Sequence, residues 1–445
     1  MPKALFVAPS AYTLSGLATW LDFLLPGLAA KGWEVSLGLV SGPHHHQAGR
    51  YLAAHPTENV LMAHCATGTA EGRRRALDRI LDQSRADVAV SVNIPDLLVA
   101  INDRRLKGQR AAHAVLSVHG IEAWLYADAR RYRSMLDAVV CTNRLACELT
   151  GQLGGIAKER IHYAAYGVHR SDITPRSFEG AFRIVYSGRL EESQKRVGDL
   201  VGIVHGLAER GLPFHLDIAG DGPERAELEA ALSSQHEEGR VTFHGQLDTQ
   251  RLKQDLYAQA DALLITSHWE TGPIVAWEAM AQDVPVVSSR YVGSGLEGAL
   301  RDGETALLFD TGDVAGAVDA LSRLHGDKAL QNRLIASGRR LVEERYSIDA
   351  SVRAWDAALR SVLGRPQACG LQELPRAKAS GRLDRWLGPR LAENLRGQLR
   401  GKPLQTPDPG GEWPHAHSHA ASDERFWQVA SAVDQALDEV RIGVG

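Results

Sequence analysis

The sequence predicts an α/β protein: two Rossmann-like, doubly wound domains facing a cleft, followed by a mostly helical C-terminal extension. Three observations predict it. Short apolar runs rich in Val, Leu and Ile alternate with longer helical patterns, the alternation restarts near residue 180, and it ceases after about residue 345. Apolar runs closed by turn signals read as strands buried on both faces, and strands separated by helical stretches read as βαβ units of a parallel sheet. A chain of 445 residues has room for two or three domains at about 100–200 residues each.

Taken in order, the first series of runs is Ala4–Ala8, Val35–Val40, Asp87–Val92, Ala114–Val118 and Ala138–Cys141. Pro9-Ser10 and His119-Gly120 are typical of the turn signals that close them. The segment 168–180, with Pro175 and no periodicity, reads as a linker. The second series is Phe182–Tyr186, His215–Ala219, Val241–Phe243, Ala262–Thr266, Val284–Ser288 and Ala306–Phe309. Domains over 1–172 and 173–346 follow, and sheets of this kind bind ligands at the carboxyl ends of their strands. Ser347 can cap a helix over 347–365 that carries Trp355, Leu359 and Val362 on one side.

The extension, 366–445, contains no evident strand. Between Arg376 and Lys402 eight basic residues stand against Asp384 and Glu393, and Leu383, Trp386, Leu387, Leu391, Leu395 and Leu399 recur at near-helical spacing, interrupted by Pro389. A Pro/Gly-rich connector, 403–411, leads to His415, His417 and His419. A final helix is expected from Ser422, burying Phe426, Ala430, Val433, Leu437 and Val440.

Composition narrows the function. With 54 acidic and 50 basic residues the net charge is −4, which argues against a chain devoted to nucleic acid. A hydrophobic share of 44% with 23% charged residues is that of a soluble globule. Cys65, Cys141, Cys147 and Cys369 form neither a disulfide framework nor a CxxC pair. The most apolar stretch, 17–30, contains Asp22 and Pro26 and lacks the pattern of a signal peptide. A cytoplasmic location is expected, with a membrane surface as one alternative.

Five segments can carry chemistry. Glu270-Thr-Gly-Pro-Ile-Val-Ala-Trp-Glu278 follows a buried run and opens a helix, with Pro273 suited to the first helical position. Gly272 lets a ligand approach the backbone, whose free N–H groups form an anion site. Glu278 lies about 7.5 Å further up the helix, at 1.5 Å per residue. The bland alternative has Glu270 as a cap and Glu278 on a solvated face. Gly188-Arg189-Leu190 ends a strand, and Lys195 in the following turn can converge with Arg189 on a diphosphate, a planar fork beside a point charge. Ala219-Gly220-Asp221-Gly222-Pro223 is a glycine turn without a P-loop ending. Ser15-Gly16 precedes a helix, and His119 stands at a strand end. His44-His45-His46 and the second histidine cluster lack acidic or Cys partners at ligand spacing, so no metal is expected.

As a set these segments resemble the family 4 glycosyltransferases of the GT-B architecture. Gly188-Arg189-Leu190 with Lys195, the turn at Gly220, His244-Gly245, the Glu270…Glu278 spacing, Asp302-Gly303-Glu304 and Gly312-Asp313 stand in the family's order over roughly 182–350. Ser15-Gly16, His119-Gly120 and Tyr166-Gly167-Val168 match more loosely, and Thr271-Gly272-Pro273 replaces the family's usual Gly-Phe-Gly type run.

The resemblance implies a retaining transfer of a sugar from a UDP- or GDP-sugar to a glycan, lipid-linked or small-molecule acceptor, in polysaccharide or cell-envelope synthesis and without a metal or other cofactor. It implies that Arg189 and Lys195 hold the diphosphate and stabilise the leaving group. Glu270, with the backbone at Thr271, Gly272, Pro273 and Ile274, would contact the donor sugar, and Glu278 the ribose. His119 would approach the sugar, while Ser15, Gly16, Gly188 and Gly220 would shape the donor site. The first domain would take the acceptor, the second the donor, and the helix from Ser347 would cross back to the first.

Two competing readings are a sugar-nucleotide epimerase of the same fold and a non-catalytic nucleotide-sugar-binding partner subunit. The basic stretch 376–402 likewise has two readings. It lies on anionic lipid at the inner face of a membrane, or its Leu/Trp face packs on the protein.

Overall fold

The computed structural model describes residues 1–11, 16–170, 180–368, 381–399 and 411–435. The expectations for Ser15, Cys369, the connector 403–410, Leu437 and Val440 lie outside them. The chain forms two compact units. Unit 1 comprises Met1–Thr142, Ala146–Ala164 and Val352–Phe426; unit 2 comprises Asn143–Leu145, Ala165–Ser351 and Trp427–Gly445.

In unit 1 the strands are β1 (Lys3–Pro9), β2 (Glu34–Ser41), β3 (Val60–His64), β4 (Val88–Val92), β5 (His113–Val118), β6 (Ala138–Cys141) and β7 (Ile161–Tyr163). They run parallel in the order β3-β2-β1-β4-β5-β6-β7, with Leu5 of β1 in register with Ser36 and Ala89. Leu5, Phe6 and Val7 of β1 and every residue of β4 are buried, which is why these runs are so uniformly apolar. Sequence reading missed β3 and β7. Both are short, only partly buried edge strands; β7 has no continuous apolar run, while β3 is apolar over Val60–Ala63 but buries only Ala63 and leaves Met62 exposed.

In unit 2 the strands are β8 (Phe182–Ser187), β9 (Phe214–Ala219), β10 (Val241–Gly245), β11 (Ala262–Ile265), β12 (Val286–Ser289) and β13 (Leu307–Phe309). These also run parallel, in the order β10-β9-β8-β11-β12-β13. All six match runs anticipated from the sequence. One face of the sheet packs Ile184, Tyr186, Leu216 and Ile218 against Leu200, Ile203, Val204 and Leu207 of the helix Asp199–Glu209. Asp313 and Asp327 cap the helices Val314–Gly326 and Lys328–Leu341 by accepting the N–H groups of Gly316 and Leu330, both at 2.9 Å.

Both sheets reverse their winding beside their first strand, between β1 and β4 and between β8 and β11. The crevice outside the carboxyl ends at such a switch point is where sheets of this type bind ligands.

Ser347 caps the helix Ile348–Leu363, its Oγ accepting the Ala350 N–H at 3.2 Å. Within unit 1 the buried Trp355 ring lies 5.2 Å from Trp20 and 5.8 Å from Phe6. Val352 fills the space over Gly27, where a Cβ would stand 2.4 Å from its Cγ2.

The extension is tied to unit 1 by polar side chains. The Glu412 carboxylate accepts the backbone N–H groups of His44, His45 and His46 at 3.2, 3.0 and 3.1 Å, and the buried Trp413 donates its indole N–H to Ser41 O at 3.0 Å. Asp128 accepts the His417 N–H at 2.9 Å, and Ser422 Oγ accepts that of Ala123 at 2.8 Å. The histidine clusters thus serve the packing of the extension. The final helix, Glu424–Gln435, buries Phe426 and Ala430, whereas Val433 is only partly covered.

Candidate functional site

The carboxyl ends of β8 and β11, the two strands at the switch point of unit 2, bring four of the predicted residues together. After β8 the chain turns through Gly188 and Arg189 into the short helix Glu192–Lys195. Thr266, just past β11, donates its hydroxyl to the Lys195 carbonyl at 2.7 Å and fixes that helix over the sheet edge. Lys195 Nζ then reaches Glu270 Oε1 at 2.5 Å, and Ser267 Oγ donates to the same oxygen at 2.6 Å. Glu270 is buried, its backbone N–H donating to Val292 O at 3.1 Å. Glu270 therefore does not cap the following helix. It is one half of an ion pair with Lys195.

Arg189 is the open member of the group, with its side chain 62% exposed. Its Nη2 donates to Glu191 Oε1 and Gln194 Oε1, each at 2.9 Å, and Gln194 Nε2 donates to Trp269 O at 3.2 Å. One chain of contacts thus runs from Arg189 through Gln194 to the segment that carries Glu270. Tyr186 donates to Arg189 O at 3.1 Å, and burial pushes its phenol well above the ordinary range.

The glycines hold the backbone close. Gly220 N–H donates to Gly245 O at 2.8 Å, Gly188 N–H to Ala219 O at 3.0 Å, and a Cβ on Gly220 would stand 1.8 Å from Gly188 O. Gly272 has φ 126°, a conformation L side chains rarely adopt. The helix begins at Ile274, with Pro273 just before it at the cap position (φ −68°, ψ 92°). This corrects the expectation that Pro273 is the first helical residue, because its ψ is that of extended backbone. Thr271 and Ile274 are partly buried beside it.

Glu278 lies on the inner side of that helix and is buried, not solvated. Burial pushes its carboxyl from the ordinary 4.5 up to about 7, against the pull of the Lys253 ammonium. The folded protein therefore holds this proton more tightly than the unfolded chain. This group's contribution to stability is greatest below pH 4.5 and falls as the pH rises, with the loss complete above about pH 7. Glu278→Gln should flatten the dependence of the melting temperature on pH between 4.5 and 7; an unchanged slope would deny this group its role.

The predicted residues of unit 1 are described by themselves. Gly16 opens the helix Gly16–Ala30 after the β1 end and is exposed. His119, at the end of β5, sets its ring edge-on to Trp20 with centroids 4.7 Å apart. Burial pushes its imidazole down to about 3, so it is neutral at physiological pH. Among the described residues no group of three His, Cys, Asp or Glu side chains is placed to hold a metal ion.

Sequence reading missed Ser267 and Gln194, which hold Glu270 and Arg189. Each stands within five residues of its partner, but a lone Ser or Gln carries no signal of its own. It also missed Trp427 and Asp434. The Trp427 ring packs 5.3 Å from Trp269, and the buried Asp434 carboxylate accepts the N–H groups of Gly293, Gly295 and Leu296 at 2.7, 3.1 and 2.9 Å. Nothing in the sequence links residues so far apart.

Residues 181–327 match the family described as glycosyl transferases group 1. Curated relatives include the lipopolysaccharide core biosynthesis glycosyltransferase LpsE of Rhizobium meliloti, 33% identical over 33% of this chain and 42% of the relative. LpsD of the same organism is 28% identical over 64% of this chain and 80% of the relative, and the N-acetyl-alpha-D-glucosaminyl L-malate synthase of Bacillus anthracis 30% over 38% and 43%. The chain spans about half the length of most curated relatives it matches. Among solved structures, Anabaena HepE in complex with UDP and glucose superposes with a TM-score of 0.65 at 16% identity, covering 81% of this chain and 100% of that one. The lipopolysaccharide outer core galactosyltransferase WaaB gives 0.64 at 19%, covering 81% and 99%. The fold is thus that of the two-Rossmann-domain glycosyltransferases, and the match to glycosyl transferases group 1 covers residues 181–327.

Proposed function

We propose that this protein is a retaining glycosyltransferase of the family 4 type, which moves a sugar from a nucleotide diphosphate sugar to a glycan or lipid-linked acceptor. The observation that carries the reading is the Lys195–Glu270 pair at the β8–β11 switch point with the open Arg189 beside it. Two cations and a buried carboxylate at one sheet edge suit a diphosphate joined to a hydroxyl-rich sugar. The glycosyltransferase relatives and the UDP in the HepE structure support it.

In this reading unit 2 holds the donor. Arg189 and Lys195 bind the diphosphate, and the backbone at Thr271, Gly272, Pro273 and Ile274 approaches it through the space that Gly272 leaves. The bond from the anomeric carbon to the phosphate oxygen breaks, a bond to the acceptor oxygen forms on the same face, and the acceptor proton passes to the departing phosphate. Negative charge grows on that phosphate, where the fixed cations act most strongly. Glu270 orients the sugar hydroxyls and Glu278 the ribose, while Gly188 and Gly220 keep the floor of the site low. Unit 1 supplies the acceptor side, with Gly16 at the start of the helix Gly16–Ala30 and a neutral His119 as a hydrogen-bonding group. No metal is required, because the two cations take its place. The setting is the cytoplasmic side of a membrane, in polysaccharide or envelope glycan synthesis.

Calorimetric titration with UDP, GDP and ADP tests this. One nucleoside diphosphate is expected to bind with a micromolar dissociation constant and the other two at least tenfold more weakly. Failure of all three to bind would sink the reading.

A further inference from the structure

Of the large hydrophobic side chains most exposed among the described residues, five belong to one helix, Arg382–Leu399: Leu383, Trp386, Leu387, Leu391 and Leu395. Trp386 is 88% exposed. Single exposed apolar residues are ordinary, whereas a cluster of them marks an interaction surface. The apolar side of this stretch is thus turned outward, not packed on the protein.

The acids of the same helix face the other way. Asp384 is buried against Arg396 at 2.5 Å, and the buried Glu393 accepts the hydroxyls of Thr67 and Thr69 at 2.7 and 2.6 Å. Arg382, Arg385 and Arg390 remain exposed. The outward side therefore carries cations and apolar groups and none of the helix's own anions.

Its shape is also set. The backbone bends at Gly388 (φ 75°, ψ 157°) before Pro389, and the Asp384–Arg396 pair spans the bend. Arg75 of the helix Ala70–Ser84 donates to Asn394 Oδ1 at 2.6 Å and to Arg390 O at 2.9 Å, which fastens the element to unit 1.

We propose that this face docks on an anionic lipid bilayer. Leu383, Trp386, Leu387, Leu391 and Leu395 enter the boundary between headgroups and acyl chains, and Arg382, Arg385 and Arg390 meet lipid phosphates. Charge favours lipid over a second copy of this chain, since a two-fold contact would set the three arginines against the same three. The helix belongs to unit 1 and the Lys195–Glu270 pair to unit 2, and the inference gives the proposed setting at a membrane, on which it rests, a physical contact.

The test is co-sedimentation of the full chain with vesicles of phosphatidylglycerol and phosphatidylcholine in equal parts, and with phosphatidylcholine alone. Binding to the anionic vesicles only, weakened by salt, is expected. Trp386→Ser with Leu391→Ser should lower partitioning on the order of a hundredfold, and Arg382→Gln with Arg385→Gln about fivefold per residue. All four side chains are exposed, so melting temperatures should hold. No binding to anionic vesicles, equal binding to both kinds, or binding indifferent to both variants overturns the proposal. So does a dimer in sedimentation velocity that Trp386→Ser with Leu391→Ser breaks while vesicles go unbound. UDP titration of the same samples reports separately on the transferase reading.

Discussion

Lys195→Ala is expected to lower kcat/KM for sugar transfer by about 10²–10³, the usual cost of removing one preorganised charge-stabilising group. Two effects add. In the proposed reaction the leaving phosphate loses a cation whose backbone Thr266 fixes through the Lys195 carbonyl, and Glu270, buried beside Ser267, loses its counter-ion. Arg189→Ala should cost nearer tenfold, because its side chain is 62% exposed and water screens it. Steady-state kinetics with matched melting curves separates catalysis from stability. A Lys195→Ala protein that melts early yet keeps its kcat would mark the pair as purely structural. Lys195→Ala combined with Glu270→Gln should recover stability without recovering rate, since it removes the uncompensated buried charge but restores no cation.

Gly220→Ala is expected to destabilise unit 2 by about 3 kcal/mol or more, lowering the melting temperature by roughly 6–12 °C, and to abolish nucleotide binding. The Cβ would stand 1.8 Å from the carbonyl oxygen of Gly188, a backbone atom that no side-chain rotation can clear. Either β8 or β9 must move, and the end of β8 is where Arg189 starts. Gly239→Ala is the control. It too has a positive φ, 71°, but nothing lies within 4 Å of its Cβ, so only the conformational strain of about 1 kcal/mol applies. Equal losses from both substitutions would show that the close approach at Gly220 carries no special weight.

Much of the fold and of the site could be read from the residues in order. The eleven apolar runs stand where strands are, and the signal is strongest in β1 and β4, because a central parallel strand must be apolar on both faces. The candidate residues Gly188, Arg189, Lys195, Gly220 and Glu270 follow such runs, and strand ends at a switch point are where a doubly wound sheet meets its ligand. Ser347 announced its helix by capping chemistry, which acts over three residues.

The rest was decided in three dimensions. β7 escaped notice because it is three residues long and only partly buried, and β3 because nothing local shows that its apolar run pairs at the sheet edge. Ser267 and Gln194 take their roles from the side chains beside them, and Asp434 from backbone N–H groups at Gly293, Gly295 and Leu296. The same holds for the helix Arg382–Leu399. Its sequence shows arginines, leucines and two acids without saying which side faces out. Glu393 settled that by turning to Thr67 and Thr69, because a carboxylate leaves water only where hydroxyls or cations receive it. Sequence by itself determined what repeats along the chain or acts within a turn of it. Tertiary structure alone decided which polar groups met, since a hydrogen bond between distant residues leaves no period to read.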